Sequence, residues 1–423
     1  MTGMLTHGVR INRQRLLERF LRYVQIATLA DPQSETYPSS SGQVVLGKLL
    51  VSELQRMGAA DAHQDAHGLV WATIPATVSH PCATVLLNAH LDTSPEAPAE
   101  NIKPQVIRDY DGGEICLAGS GAILSPTNTA ELTQLAGHTL VTTDGNTLLG
   151  GDDKAGVAAI MELAEHLLEN PQLAHGPIRV LFTCDEEIGN GAQYVNFAKA
   201  NSDVAYTLDA GGLGDVENET FSADLLTVMV QGYNIHPAIA KGKMINAIRG
   251  LAMLLAELPK DQMSPESTAD RDGFLHPYQI SGGVGEARAD ILLRDFDSAR
   301  LDHYADLVQQ LADRVCQQLP GLKISIDRQQ QYRNMAQWLA DFPEAVDYAI
   351  LAHQQLGRSA RLSSIRGGTD GAHFSANGLP TPNLSVGQHN IHSVLEFVSL
   401  DEISYAVQHA ILMLELWAKH SAC

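Results

Sequence analysis

Three apolar runs stand out along the chain: residues 84–88 (TVLLN), 178–183 (IRVLFT) and 204–208 (VAYTL). None alternates with polar residues, the pattern of strands buried on both faces in a parallel sheet. Between the first two, Val157, Ile160, Met161, Ala164 and Leu168 recur at helical spacing, and Pro171 lies beyond them. That spacing predicts an amphipathic helix opening at Asp152, with Asp152 and Asp153 at its start. Further helices are predicted over residues 14–29 and 42–57, and a strand over 69–74. Residues 95–143 are rich in Pro, Gly and Asp and read as irregular, with short strands near 105–107 and 139–142. An excursion of that length inside a domain is usually functional.

From about Phe221 the pattern changes. Strands are predicted over 225–230, 286–294 and 323–327, and helices over 243–258 and 298–319. Their order is that of a split β-α-β unit on an antiparallel-type sheet, an inserted α+β domain of ferredoxin-like kind spanning residues 221–330. Residues 331–423 then return to the first domain, 1–220. They carry a helix at 342–356, a glycine-rich turn at 366–372, a strand near 382–386 and a last helix at 404–419. The first domain therefore reads as α/β, with a mixed, mostly parallel sheet.

Composition narrows the function. At 423 residues the chain is long for one domain, and a formal net charge of −21 disfavours nucleic acid and anionic lipid surfaces as partners. Cys82, Cys116, Cys184, Cys316 and Cys423 are widely spaced with no CxxC pair, which favours reduced thiols and a cytoplasmic setting. No signal peptide is evident. No stretch approaches the roughly 20 apolar residues a membrane span needs.

The candidate chemistry lies where the strands end. His90 and Asp92 follow the first run two residues apart, so they share a face, and Asp92 can accept the second imidazole N–H and orient the ring. Glu186 and Glu187 follow the run at 178–183, where a strand that has just ended lets both enter one site. Asp209 follows the run at 204–208, and His392 comes late in the chain. With Asp152 these make an oxygen and nitrogen donor set without thiolate, suited to two divalent ions of the zinc, cobalt or manganese kind with one bridging carboxylate. Asp152 is the candidate bridge, and Glu186 is free to act as general base. Asp153 reads as a helix cap, Asp185 as a turn residue and His389 as a solvated neighbour of a ligand.

The segments NAHLDT at 88–93, TDGNTLLGGDDKAG at 143–156, DEEIG at 185–189 and IRGGTDGA at 365–372 together resemble the tripeptide aminopeptidase branch of the M20 dizinc metallopeptidases. The likeness extends in order into the inserted domain, at His236-Pro237, Ala240-Lys241-Gly242 and Arg294-Asp295-Phe296-Asp297. It implies a zinc-exopeptidase-like domain with helices on both sheet faces and a lid or dimerisation-type domain inserted in it. It implies that His90 and Asp209 hold one zinc, Glu187 and His392 the other, that Asp152 bridges, that Glu186 is the general base and that Asp92 orients His90. It further implies small peptides as substrates, His236 as an oxyanion donor, Arg294 as the group that binds the substrate carboxylate, and a homodimer in some members.

Two positions depart from the branch's pattern. Ala238 stands where a glycine follows His236-Pro237, and Leu395 where a second histidine follows His392. Both bear on substrate preference more than on catalysis. The same metal site serves aminoacylases, carboxypeptidases and dipeptidases. A metal-binding interaction protein without activity is the reading from another class, and the presence of Glu186 weighs against it.

Overall fold

The structure is a computed structural model describing residues 9–419. The chain divides into two compact units. One comprises the chain up to Asn218, Gln337–Ser363 and the residues from Thr369 onward, and the other Glu219–Ala336 with Ser364–Gly368.

The first unit is built on a large mixed sheet. Its central strands, in the order Ile178–Thr183, Val85–His90, Val204–Gly211 and Asn383–His389, are parallel to one another. Every residue of Val85–His90 is buried, as its unbroken apolar run requires. The margins are antiparallel. Val70–Ile74 and His63–Gln64 extend one side, and Phe397–Ser399, Leu140–Thr142 and Gln105–Ile107 the other. These marginal strands mostly have two to five residues and carry little pattern of their own, so the parallel centre is the more legible part.

The helix Gly151–Glu169 lies across the three strands Val85–His90, Val204–Gly211 and Asn383–His389, and Arg13–Val24, Ser41–Met57 and Leu400–Trp417 pack around it. Nearly all its residues are buried, including Ile160 and Met161. The wholly buried Glu162 on this helix is paired with Arg15 at 2.8 Å and Arg19 at 2.6 Å, which ties the N-terminal helix down. The excursion predicted as irregular has a core of its own. A hairpin of Ile115–Cys116 and Ile123–Leu124 and a 3-10 turn at Ala130–Gln134 gather Tyr110, Leu117, Leu124, Leu132 and Leu135 against Phe397. Strands of two residues are too short to show a period. No helix among the described residues is long and apolar enough to cross a membrane.

The second unit runs strand, helix, strand, strand, helix, strand: Ser222–Gln231, Ala247–Ala256, Phe274–Gly282, Glu286–Asp295, Ser298–Gln318 and Lys323–Tyr332. The four strands form an antiparallel sheet with Phe274–Gly282 at one edge and Lys323–Tyr332 at the other. This is a ferredoxin-like arrangement. Leu226, Val228, Val230, Ile291 and Leu293 cover one sheet face and meet Leu251, Leu254, Leu301, Val308 and Leu311 of the two helices. The strand Phe274–Gly282 has no counterpart in the sequence reading. It is an edge strand, exposed from Pro277 onward and interrupted by that proline, so it shows no apolar alternation.

In the first unit, His353 on Glu344–Gln355 and His409 on Leu400–Trp417 stack with ring centroids 3.6 Å apart, both buried. Burial pushes His409 down to about 3, with His353 adding to it, and burial with the Arg358 charge pushes His353 down to about 4. Both are therefore neutral in the fold, whereas an unfolded chain protonates them near pH 6.5. The unfolded state takes up protons first as pH falls, so the stability these residues leave intact above about pH 6.5 is lost between there and about pH 4. A His409→Gln chain, whose amide can still donate to the Ala349 carbonyl that His409 Nε2 meets at 2.7 Å, should lose stability less steeply over that range. Denaturant midpoints at several pH values test this, and parallel curves for the two chains would contradict it.

Candidate metal centre

His90 is the last residue of its strand. Its backbone N–H donates to Asp153 Oδ2 at 3.1 Å, and its ring lies in the site. The strand Ile178–Thr183 ends in a tight turn in which Asp185 has a φ of 61° and Glu186–Ile188 form one 3-10 turn. Asp185 anchors the turn by accepting hydrogen bonds from the Ser39 N–H at 2.7 Å and Gln43 Nε2 at 2.6 Å. The two oxygens of buried Asp92 accept the N–H groups of Glu186 at 3.1 Å and Glu187 at 3.0 Å. Asp92 Oδ1 also lies 3.4 Å from His90 Nδ1. Asp92 thus connects the turn carrying both glutamates to the His90 ring.

Asp209 lies inside Val204–Gly211 rather than after it. The pairing with Asn383–His389 passes from Leu208↔Leu384 to Ala210↔Ser385, so Asp209 is an extra residue at a β-bulge. Its N–H donates to the Asn383 side-chain oxygen at 3.1 Å, and the bulge re-aims its carboxylate.

Asp152 and Asp153 open the helical segment without helical geometry, at φ −79°, ψ 105° and φ −119°, ψ 33°. The helix proper therefore starts after them, a correction to the sequence reading. Asp153 caps it, Oδ1 accepting the Gly156 N–H at 3.1 Å. A Cβ on Gly156 would lie 2.0 Å from the Leu208 carbonyl oxygen, so glycine there lets the helix start approach the strand that carries Asp209. This leaves Asp152 free to face outward from the helix end.

The result is two overlapping triads, His90 with Asp152 and Asp209, and Asp152 with Glu187 and His392. In each triad the ligand atoms lie within 4.8 Å of one another. Asp152 Oδ1 is 3.0 Å from His90 Nε2, which is 3.8 Å from Asp209 Oδ1. Asp152 Oδ2 is 3.3 Å from His392 Nε2, which is 3.0 Å from Glu187 Oε2. Ligand bonds of about 2.0–2.2 Å in a tetrahedron put neighbouring donors roughly 3.4 Å apart, so both triads have the dimensions to hold a divalent ion. Glu187 Oε1 is buried without a hydrogen-bond partner, a further sign that this carboxylate serves something other than the protein.

The electrostatics agree. Burial drives Glu186 and Asp209 well above the usual carboxylate range, helped at Asp209 by the Asp152 charge, and it drives Glu187 up to about 7. At Asp152 burial pushes the same way, but hydrogen bonds with His392 and His90 outweigh it and hold the carboxyl well below its usual range. Burial opposes charge on both imidazoles, yet Asp152 and Asp92 raise His90, and Asp152 and Glu187 raise His392 to about 11. Four carboxylates crowded against two imidazoles make a site in want of positive charge, which two divalent cations would supply.

His389 is not solvated. It is buried, its Nε2 lies 2.7 Å from Glu402 Oε2, and its ring stacks on Phe397 at 4.7 Å. It belongs to the continuous strand Asn383–His389, which runs past the predicted end at 386. His236 and Arg294 belong to the second unit. His236 is exposed and caps a 3-10 turn at Pro237–Ile239, its Nδ1 accepting the Ala238 N–H at 3.2 Å. Arg294 is half-buried on Glu286–Asp295, with its Nε unpaired.

Some supporting residues were passed over in the sequence. Asn383 and Gln388 hold Asp209, Gln388 Nε2 donating to its backbone and side-chain oxygens at 2.9 and 3.1 Å. Glu396 accepts the backbone N–H groups of Leu149, Gly150 and Asp152. An acidic residue directly before the apolar run at 397–398 was the available signal for Glu396, and a glutamine in a buried strand the signal for Gln388.

Two donor triads sharing one carboxylate, set at the strand ends of the sheet's parallel centre, have the form of a hydrolase site that could hold divalent ions. The sequence profile of peptidase family M20/M25/M40 matches residues 138–415, and the chain belongs to this family. It is a peptidase. Its relatives include the proteins named peptidase T of Geobacillus kaustophilus, 40% identical over 97% of this chain and 100% of the relative, and of Bacillus subtilis, 39% identical over 93% and 96%. Among solved structures it shares its fold with an aminopeptidase PepT from Bacillus cereus (TM-score 0.74, 23% identity, 99% of this chain and 100% of that one). A tripeptidase from Staphylococcus aureus gives a TM-score of 0.76 at 24% identity, over 97% of this chain and 100% of that one. A Bacillus subtilis protein described as a dinuclear metal-binding peptidase of the M20 family gives 0.64 at 14% identity, over 96% and 98%.

Proposed function

We propose that the chain is a metal-dependent aminopeptidase that releases the N-terminal residue of short peptides, tripeptides foremost. The observation that carries this is the division of Asp152 between two triads, one oxygen 3.0 Å from His90 and the other 3.3 Å from His392. The peptidase T name of the relatives supports the substrate class. His90 and Asp209 would hold one ion and Glu187 and His392 the other, with Asp152 shared between the two. Zinc suits this donor set, and cobalt or manganese can take the same donors. Ions held there would supply Lewis acidity toward the scissile carbonyl and the attacking water.

Glu186 takes the proton of that water and passes it to the departing amine. Burial raises its proton affinity above that of an ordinary carboxylate, which suits a group that must both accept a proton and return it. Asp92 keeps Glu186 and Glu187 in register by holding their backbone N–H groups, and it steadies the His90 ring. His236 supplies an oxyanion donor and Arg294 binds the peptide carboxylate, both from residues 221–330 acting as the inserted lid domain. These roles rest on the resemblance of the surrounding segments. A cytoplasmic place of action accompanies the reading, since Cys82, Cys116, Cys184 and Cys316 are free thiols.

Glu186→Gln should keep its metal content and lose about 10²- to 10⁴-fold in turnover, because only the proton acceptor is removed. Near-normal turnover at unchanged metal content would show that another group is the base. On a panel of peptides with free or blocked ends, free tripeptides should be cleaved best and N-acetylated tripeptides poorly. Efficient hydrolysis of N-acyl amino acids, with none of free tripeptides, would move the chain to the aminoacylase reading.

A further inference from the structure

Glu396 is a carboxylate sealed from solvent, with a relative exposure of 1%. Such a group needs its oxygens satisfied. Among the described residues main-chain donors satisfy them: Oε2 accepts the N–H groups of Leu149 at 2.6 Å and Gly150 at 2.8 Å, and Oε1 that of Asp152 at 3.0 Å. These are the residues that lead into and include the shared carboxylate. The seat is tight, since a Cβ on Gly151 would lie 3.1 Å from Glu396 Oε1 and 2.5 Å from Val398 Cγ1.

At its other end Glu396 is joined to His392 by a turn with little freedom. His392 itself has a φ of 60° and Asn390 one of 50°. Ser393 Oγ donates to the Asn390 carbonyl at 2.8 Å and accepts the Leu395 N–H at 3.1 Å, and the Glu396 N–H donates to the Ser393 carbonyl at 3.2 Å. The Asn390 side chain closes the turn onto Thr129 Oγ1 at 2.9 Å. The segment that presents His392 and the segment that presents Asp152 are far apart in sequence, and the Glu396 carboxylate hydrogen-bonds one to the other.

We infer that Glu396 is a positioning residue that sets the distance between His392 and the bridging Asp152, and through it the affinity of the triad Asp152, Glu187 and His392. This deepens the proposed two-metal reading and rests on it. The other triad shares only Asp152 with this arrangement, while His90 and Asp209 are held by Asp92, Gln388 and Asn383. The two ions should therefore respond unequally to a change at Glu396. Glutamine is the discriminating replacement. Its amide nitrogen must face at least one backbone N–H that the carboxylate now accepts, so the link is weakened with the side-chain shape kept.

The test is competitive titration of the full-length apoprotein with zinc against a chromophoric chelator, repeated with cobalt to follow its visible absorption, on the wild type, Glu396→Gln and Glu396→Asp. The wild type should bind two ions. Glu396→Gln should bind one of them roughly 10- to 100-fold more weakly, the range for losing a group that orients a ligand, with the other shifted much less. The weaker ion's cobalt spectrum should change as well. Glu396→Asp, which keeps the charge but is one methylene shorter, should fall between the two and carries the test if the glutamine chain does not fold. Unchanged affinities, or equal losses at both ions in step with a lowered apoprotein melting temperature, would overturn the inference and make Glu396 a general brace. A wild type that binds no pair of ions would defeat the two-metal reading itself, whatever the variants do.

Discussion

The shared carboxylate of Asp152 is the constraint on which the rest of the site depends. One oxygen faces His90 and the other His392, so the group must stand clear of its helix, fixed in rotation, among other carboxylates that repel it. Bringing Asp152, Glu186, Glu187 and Asp209 together in a buried setting opposes folding through both desolvation and like-charge repulsion. The surrounding fold offsets part of this directly, with Gln388 donating to Asp209 and the His90 and His392 rings facing Asp152. Asp92, Asp153 and Glu396 act differently, accepting backbone N–H groups that fix the strand ends and the helix start.

The architecture explains why these groups can meet at all. Parallel strands Ile178–Thr183, Val85–His90 and Val204–Gly211 run in the same direction, so the residues at or near their carboxyl ends share one rim of the sheet. The helical segment that opens with Asp152 and Asp153 begins at that rim, and Gly156 lets its first turn lie against Leu208. The bulge at Asp209 and the positive-φ residues Asp185 and His392 are the local departures from regular geometry that turn side chains into the site. Such departures concentrate where function needs them.

How much of this was legible in the sequence follows from what each residue depends on. The central strands and the helix within 151–169 are long apolar patterns and could be read directly, and His90, Glu186 and Glu187 were candidates because each closely follows or ends such a run. The edge strand Phe274–Gly282 could not, because exposure removes alternation and Pro277 argues against a strand. Asp209 was taken to follow its strand, because a bulge is set by the register with Asn383–His389, which lies some 170 residues away in the chain. His389 looked like a solvated neighbour until its pairing with Glu402 from the last helix was in view. Glu396 shows the limit most plainly, since its partners are backbone N–H groups and no side-chain pattern announces them.

The central claim is that one carboxylate serves two metal ions, and the most direct measurement is metal content. Wild type and Asp152→Asn would be equilibrated with zinc, freed of loose metal and analysed for zinc per folded chain. The account predicts two ions in the wild type and weakened binding of both in the variant, because an amide offers one neutral oxygen where two charged ones were shared. An Asp152→Asn chain that keeps either ion at wild-type affinity would contradict it.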